Sequence, residues 1–198
     1  MHDIKGENNK VYVEPSEDLI YSLKINGNDN KVEIDKTVTG HLSLDIEGDY
    51  HFVCVKSRVR FNGQTTIVIR SQNCTISVDE DSYCGGASFH LIEPTTSITI
   101  GKQCIISVQT NFFTSDYHSI IDLNTGLRIN PAGNITISDH VWIGIGVIVL
   151  KGVTIGKDSV IGARSVVSKD IPNNVLAAGV PAKAVKENIT WDWRRLAN

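Results

Sequence analysis

Aliphatic residues recur every six positions near the C-terminus of this 198-residue chain. The members of the series are Ile137, Ile143, Val149, Ile155, Ile161 and Val167. A helix needs apolar residues every three to four positions and a strand needs them at every second one, so neither explains a period of six. The period is typical of a parallel β-helix, whose coil turns a corner every six residues and buries one aliphatic side chain from each flat side.

Composition narrows the classes of function. A net charge of −3 and a pI near 6.0 argue against a nucleic-acid partner, which needs a basic face. No stretch reaches the roughly 18 apolar residues of a membrane span, and the N-terminal segment lacks the apolar core of a signal peptide. The four cysteines form no C-x-x-C pair, and we expect Cys54 and Cys74 to be buried as small hydrophobes. We therefore expect a cytoplasmic protein.

A second repeat, 21 residues long, occupies the first half. Its aliphatic series are Ile4, Ile25, Ile46 and Ile67; Val11, Val32, Val53 and Cys74; and Val13, Ile34, Val55 and Ile76. Glycine and asparagine lie between the short apolar runs, as expected at corners. We predict an all-β single domain over 1–198, with irregular coils of about 21 residues over 1–97, hexapeptide coils over 98–170 and an extension over 171–198.

The six-residue frame is interrupted after His118. Residues 119–134 are predicted to form a loop extruded from the coil, and loops on a rigid scaffold often carry function. If Asp116 and His118 lie on one strand, they share a face, and the carboxylate can fix the imidazole tautomer and raise its basicity, as a general base requires. The same spacing also fits a structural histidine beside an acid.

Four segments, which follow one another along the chain, resemble the hexapeptide-repeat acyltransferases. They are TSDYHSIIDLNTG at 114–126, ISDHVWIG at 137–144, VIGARSVVSKDIP at 160–172 and AGVPAK at 178–183. The resemblance covers about 98–187 and is strongest to the galactoside, polysialic-acid and capsule O-acetyltransferases. It implies a left-handed parallel β-helix that uses acetyl-CoA and contains no catalytic metal. The β-rich start of this chain is more similar to the capsule-modifying group.

The resemblance also assigns residues. His118 matches the catalytic base, with Asp116 as a candidate partner, and Trp142 matches a tryptophan beside the thioester arm of CoA. The implied acetyl-CoA contacts are Trp142, Gly144, Ile145, Gly162, Ala163, Ser168, Lys169, Lys183 and Lys186. Ile145 replaces a small polar residue of some relatives, and the two C-terminal lysines replace arginines. The candidate acceptor contacts are Tyr83, His90, Asp122 and Thr125.

The implied reaction is O-acetylation of a sugar hydroxyl in a surface glycan by direct attack on the thioester, with His118 as the base. We expect backbone N–H groups of the glycine-rich coils to stabilise the oxyanion. An N-acetyltransferase acting on an amino sugar is an alternative. The resemblance further implies a homotrimer with sites between subunits, which suits a prism with flat faces.

Two other classes compete with this interpretation. A γ-class carbonic anhydrase, which is also a left-handed β-helix, needs three histidines around a zinc ion, two of them closely spaced. In this chain His118 and His140 are 22 positions apart. A structural or binding β-helix explains the repeats equally well, but not the motifs around His118, Trp142 and Lys169.

Overall fold

The computed structural model describes residues 2–14 and 16–197. These residues form 21 β-strands that wind into about eight turns of a parallel coil with three flat sides. Seven strands form one side, called face 1. They are β2 (Lys10–Val13), β4 (Lys31–Ile34), β6 (Phe52–Val55), β8 (Thr75–Val78), β11 (Ser97–Ile100), β14 (Ile135–Ile137) and β17 (Thr154–Ile155).

The remaining strands form a second sheet that covers two sides, because long strands turn the corner between them. The long strands are β3 (Leu19–Asn26), β5 (Thr39–Asp49) and β7 (Arg60–Gln72). Face 2 continues through β9 (Tyr83–Cys84), β12 (Ile105–Ile106), β15 (Trp142–Ile143), β18 (Val160–Ile161), β20 (Val175–Gly179) and β21 (Ala182–Glu187). Face 3 contains β1 (His2–Lys5), β10 (Ala87–Leu91), β13 (Thr110–Phe113), β16 (Ile148–Val149) and β19 (Val166–Val167).

The six-residue series forms the core of the C-terminal coils. Its members point inward and are at most 1% exposed. Residues six apart lie on successive faces, and residues 18 apart stack on one face, as Ile143 pairs with Ile161 and Val149 with Val167. Burial of each such side chain contributes about 1.5–3 kcal/mol. The prediction of a parallel β-helix is therefore confirmed.

The 21-residue step holds for the first three coils and then changes. Ile25 pairs with Ile46, 21 residues away, but Ile46 pairs with Ile69 rather than Ile67. Two extra residues at the corner of β7 shift the register. Since side chains alternate with a period of two, the two-residue insertion keeps apolar residues inside. The predicted continuation of the ladders to Ile67 is therefore wrong by two residues.

The same insertion displaces the other two series. Val53 pairs with Ile76, and Val55 pairs with Val78, so Ile76 belongs to the neighbouring ladder. Cys74 is buried as expected, but it lies at the corner before face 1, where its N–H donates to His51 Nδ1 at 3.1 Å. His51 in turn follows Asn30, which is buried and bonded to Asn9. This corner therefore carries a polar ladder inside the apolar coil.

The loop leaves the coil, whereas the predicted extension over 171–198 first continues it, because Ile171 bridges to Ile155 and β20 pairs with β18. The regular strand before the loop ends at Phe113 and the next begins at Ile135, so the excursion begins about five residues before the predicted start at 119. Residues 182–187 form an antiparallel strand on the edge of face 2. In the described part of the chain, no helix is long and apolar enough to cross a membrane.

Candidate functional site

One carboxylate on the preceding coil holds the extruded loop. Glu93, at the preceding corner between faces 3 and 1, accepts two hydrogen bonds from the Arg128 guanidinium at 2.6 and 2.7 Å. It also accepts one from Ser115 Oγ at 2.7 Å. The guanidinium beside it lowers the pKa of Glu93 to about 2. The start and the return of the loop are thus tied to the same residue.

A lysine on the following coil also holds the loop. Lys151, on the next coil, donates through its ammonium group to the Asp116 carboxylate and to the Asn130 carbonyl oxygen, the latter at 3.0 Å. The Asn130 amide donates to Asp116 Oδ2 at 2.8 Å. The ammonium of Lys151 holds the pKa of Asp116 below its usual value. Asp116 is therefore engaged as a loop anchor.

His118 lies in a bend and is exposed. Residues 116–118 do not form a strand, and Tyr117 between the two residues has a φ of 65°. No hydrogen bond among the described residues joins Asp116 to the His118 ring. The condition of a shared strand face therefore fails, because the carboxylate turns toward Lys151 and Asn130.

Beneath the loop, His90 on face 3 packs under Tyr117. The His90 ring stacks on Phe113 at 4.8 Å between centroids, and its Nδ1 lies 2.8 Å from the Tyr117 hydroxyl. Desolvation lowers the pKa of His90. His90 thus lies on the His118 side of the molecule, in contact with Tyr117.

At the loop tip, Asp122 and Thr125 bond to one another. Asp122 Oδ1 accepts from the N–H groups of Asn124 and Thr125, both at 2.8 Å, and from Thr125 Oγ1 at 3.2 Å. This is an Asx turn, and it leaves Asp122 Oδ2 as the carboxylate oxygen without a hydrogen bond among the described residues.

Trp142 lies on face 2, where it points outward and is 41% exposed. The C-terminal tail folds back along the corner beside it. Trp191 stacks on His140 at 4.2 Å and donates from Nε1 to the His140 carbonyl oxygen at 2.8 Å. Trp193 meets Tyr83 edge-on at 6.2 Å. The tail therefore packs on this chain's own coils, and face 2 carries an aromatic row.

The corner after Trp142 shows what its glycines do. A Cβ on Gly144 would lie 2.8 Å from the backbone of the next coil, and a Cβ on Gly162 would lie 2.9 Å from Ala178 Cβ. Their N–H groups donate to the carbonyl oxygens of Ile161 and Ala177, both at 2.8 Å. The glycine donors expected for the oxyanion are thus engaged between coils.

The residues that follow these glycines differ. Among the described residues, no hydrogen bond uses the N–H of Ile145 or of Ala163, and both residues are exposed. They lie one coil apart at the corner between faces 2 and 3. Lys186 continues the Trp142 row, since Trp142 pairs with Val160, Val160 with Leu176 and Leu176 with Lys186.

The predicted site residues therefore fall into two groups. One group, on face 2 and its corner with face 3, contains Tyr83, Trp142, Gly144, Ile145, Gly162, Ala163, Lys183 and Lys186. The other, on face 3 and at the loop corner, contains His90, Asp116, His118, Asp122, Thr125, Ser168 and Lys169. Face 3 separates the catalytic candidate His118 from Trp142. The described residues hold no cluster of three His, Cys, Asp or Glu side chains suited to a metal ion.

The structure adds residues that the sequence patterns missed. Glu93, Arg128, Asn130 and Lys151 build the loop anchors. For Arg128 and Asn130 the available signal was their polar character inside a loop rich in apolar residues, but it did not indicate their partners Glu93 and Lys151 on the neighbouring coils.

Known proteins are similar to this chain in sequence and in fold. A family model described as bacterial transferase hexapeptide (six repeats) matches residues 134–169. The polysialic acid O-acetyltransferase of Escherichia coli O1:K1 / APEC is 38% identical over 54% of this chain and 34% of its own length. The galactoside O-acetyltransferase of Escherichia coli strain K12 is 41% identical over 51% of this chain and 50% of its own. The match spans a third to a half of these relatives.

Two crystal structures match almost the whole chain. The polySia-specific acetyltransferase NeuO superposes with a TM-score of 0.91 at 32% identity, covering 100% of this chain and 84% of that chain. The polysialic acid O-acetyltransferase OatWY gives a TM-score of 0.80 at 27% identity, covering 99% and 93%. The coil is a left-handed β-helix, as predicted. The chain belongs to the hexapeptide-repeat acetyltransferase family.

Proposed function

We propose that this protein is an acetyl-CoA-dependent O-acetyltransferase that acetylates a sugar hydroxyl of a surface glycan, with His118 as the general base. The observation that carries the proposal is the loop itself. Two ion-pair clamps hold it on the coil, while the His118 ring remains exposed to a substrate. The relatives named for polysialic acid and galactosides support a glycan acceptor.

The chemistry follows from these groups. His118 takes the proton of the acceptor hydroxyl, whose oxygen attacks the thioester carbonyl carbon. The tetrahedral intermediate collapses, the C–S bond breaks, and the imidazolium returns the proton to the CoA sulfur. All four cysteines are buried, and burial raises the pKa of each thiol. A covalent cysteine intermediate is therefore disfavoured.

Acetyl-CoA is proposed to lie along the corner between faces 2 and 3. Trp142 offers a ring to the thioester arm, and the N–H groups of Ile145 and Ala163 are donors for its amide carbonyl oxygens. Lys186, three strands from Trp142 at about 4.8 Å per strand, supplies a positive charge for the phosphates roughly 14 Å away. Lys183, Ser168 and Lys169 are exposed and available for further contacts.

The division of the site supports a homotrimer. His118 and Trp142 lie on different sides of one chain, so one chain alone does not bring them together. A cyclic assembly can place the loop corner of one chain against face 2 of its neighbour, giving three sites. The loop also exposes large apolar side chains suited to a subunit contact. They are Ile120, Ile121, Leu123, Leu127 and Ile129.

The test of the reaction is acetyl transfer to a panel of sugars and amino sugars. His118→Ala is expected to lower kcat by about 10²–10⁴-fold while acetyl-CoA binding stays close to that of the unaltered enzyme. His41→Ala is the matched control, because His41 is also exposed but lies on a distant coil. Equal loss of binding in His118→Ala would refute the base assignment, and transfer only to amines would favour N-acetylation.

The test of the assembly is subunit complementation. Trp142→Ala and His118→Ala chains are each expected to be weak alone. Mixed by unfolding and refolding, they should regain activity, because about a quarter of randomly formed interfaces combine an intact His118 with an intact Trp142. A site within one chain would show no recovery, and sedimentation of a fully active monomer would contradict the trimer.

A further inference from the structure

Asn130 occupies the centre of the loop anchors. Its side chain is 7% exposed and makes four hydrogen bonds. The amide nitrogen donates to the His118 carbonyl oxygen and to Asp116 Oδ2, both at 2.8 Å. The amide oxygen accepts from the Ile120 N–H at 2.7 Å and from Arg128 Nε at 3.2 Å. An asparagine amide has two donors and two acceptor sites, so its capacity is fully used.

These bonds converge on the backbone around the imidazole. They hold a side chain two residues before His118, the carbonyl of His118 itself and the N–H two residues after it. Two of the groups bonded by Asn130 are themselves anchored. Lys151 holds Asp116, and Glu93 holds Arg128. Asn130 therefore connects two ion pairs next to His118: the Glu93–Arg128 pair, on the side of the preceding coil, and the Lys151–Asp116 pair, on the side of the following coil.

The loop tip does not depend on this residue. It is closed by the Asx turn of Asp122, and its backbone pairs Ile121 with Arg128 in a short bridge. Within segment 116–120, the His118 carbonyl oxygen and the Ile120 N–H have no hydrogen bond among the described residues other than those to the Asn130 side chain. This distribution favours a role in placing His118 over a role in folding the loop tip.

We propose that Asn130 is a positioning residue that sets the direction of the His118 imidazole toward the acceptor hydroxyl. This inference rests on the proposed function. A base must lie within hydrogen-bond reach of the proton it removes, and a displacement of about 1 Å can cost about 10²-fold in rate. The effect should appear in kcat, because Asn130 lies at the loop corner and away from the Trp142 row.

The test replaces Asn130 by aspartate, which keeps the size but loses both donors and sets a second carboxylate beside Asp116. Asn130→Asp is expected to lower kcat about 10–100-fold, with the KM for acetyl-CoA within about twofold. Asn124→Asp is the matched control, since Asn124 lies in the same loop, is exposed, and makes no side-chain hydrogen bond among the described residues. Equal kcat in the two variants overturns the proposal.

A double-mutant cycle separates positioning from a purely structural role. If Asn130 acts through His118, Asn130→Asp adds no further loss to His118→Ala. A loss of the same size in both backgrounds overturns the proposal. Turnover that survives His118→Ala would instead refute the proposed function, so the two failures are distinguishable.

A second variant tests the proposal in case Asn130→Asp does not fold. Lys151→Met removes the ammonium that anchors Asp116 and leaves the Asn130 amide in place. We expect kcat to fall about fivefold with an unchanged KM for acetyl-CoA. An unchanged kcat in Lys151→Met overturns the proposal whether or not the Asn130 variant folds.

Discussion

The N-terminal coils and the hexapeptide coils share three faces but use them differently. Over residues 2–97 the strands reach 13 residues, and the outer surface of face 3 carries ion pairs such as Arg70 with Asp45 and Glu47. Over residues 98–170 most strands have two residues, and the outer surface carries the loop and the exposed Trp142.

The difference follows from the length of the sides. A coil of 21–23 residues gives long strands whose hydrogen bonds run across a corner without interruption. A coil of 18 residues leaves two bonded residues per side and places exposed N–H groups at its corners. The longer coils therefore serve mainly as a scaffold, and the catalytic and acetyl-CoA candidates belong to the tighter ones, whereas the acceptor candidates Tyr83 and His90 lie on the last longer coil. The predictions below test this division.

The largest expected effect is the loss of a core ring beneath the loop. Phe112 is fully buried and stacks on Phe89 at 4.7 Å. Phe112→Ala should lower the free energy of unfolding by about 3–5 kcal/mol and also lower kcat, because its strand leads into the loop. Phe61→Ala, a buried ring of the longer coils, should cost similar stability with kcat preserved in the folded fraction. Denaturant unfolding and kinetics measure both, and an identical kcat in the two variants would break the comparison.

The next largest loss of stability is expected when a glycine at a corner of the coil is replaced. A Cβ on Gly27 would lie 1.9 Å from the Gly48 carbonyl oxygen, whereas one on Gly144 would lie 2.8 Å from the next coil. Gly27→Ala should cost about 3 kcal/mol or more, and Gly144→Ala about 1–3 kcal/mol. Calorimetric acetyl-CoA binding should weaken only in Gly144→Ala. Weakened binding in Gly27→Ala would show that the longer coils contribute to the site.

Acid should loosen the His51 corner of the longer coils and the Glu93 anchor of the loop at different pH values. Burial lowers the pKa of His51, so the unfolded chain takes up a proton below about pH 6.5 that the folded chain resists, and stability falls as pH drops through that value. Glu93, with a pKa of about 2, contributes stability above about pH 4.5 that is lost as pH falls toward 2.

Thermal unfolding against pH measures this separation. His51→Asn, which continues the ladder of Asn9 and Asn30, should reduce the component near pH 6.5 to the part that His90 contributes, and Glu93→Gln should reduce the component below pH 4.5. A component near pH 6.5 that is unchanged in His51→Asn would assign it to His90 instead.

The smallest effect on stability is expected for the exposed ion pairs at the corners of the longer coils. Arg58 bonds to Asp81 and Glu80 on the surface of the longer coils. Solvent and salt screen such pairs, so Arg58→Gln should leave the midpoint of thermal unfolding and acetyl-CoA binding unchanged within error. A clear fall of the midpoint would show that the outer ion pairs stabilise the scaffold more than its core ladders imply.

Much of the fold could be predicted because burial imposes a period. The interval from Ile137 to Val167 encodes both the coil and its three sides. The 21-residue series failed after Ile46 because a two-residue insertion at a corner preserves the inside–outside alternation and leaves little trace in the pattern. In the site, the position of His118 beside an extruded loop was predictable, but the engagement of Asp116 by Lys151 was not.

The sequence by itself determined a three-sided β-helix, its tight C-terminal half and the residue types of the proposed acetyl-transfer site. Apolar side chains must be buried, and only one winding buries every sixth residue. The tertiary structure alone decided how the loop is held and which faces carry the two halves of the site. Contacts such as Glu93 with Arg128, 35 positions apart, join residues that share no period, so only the folded coil brings them together.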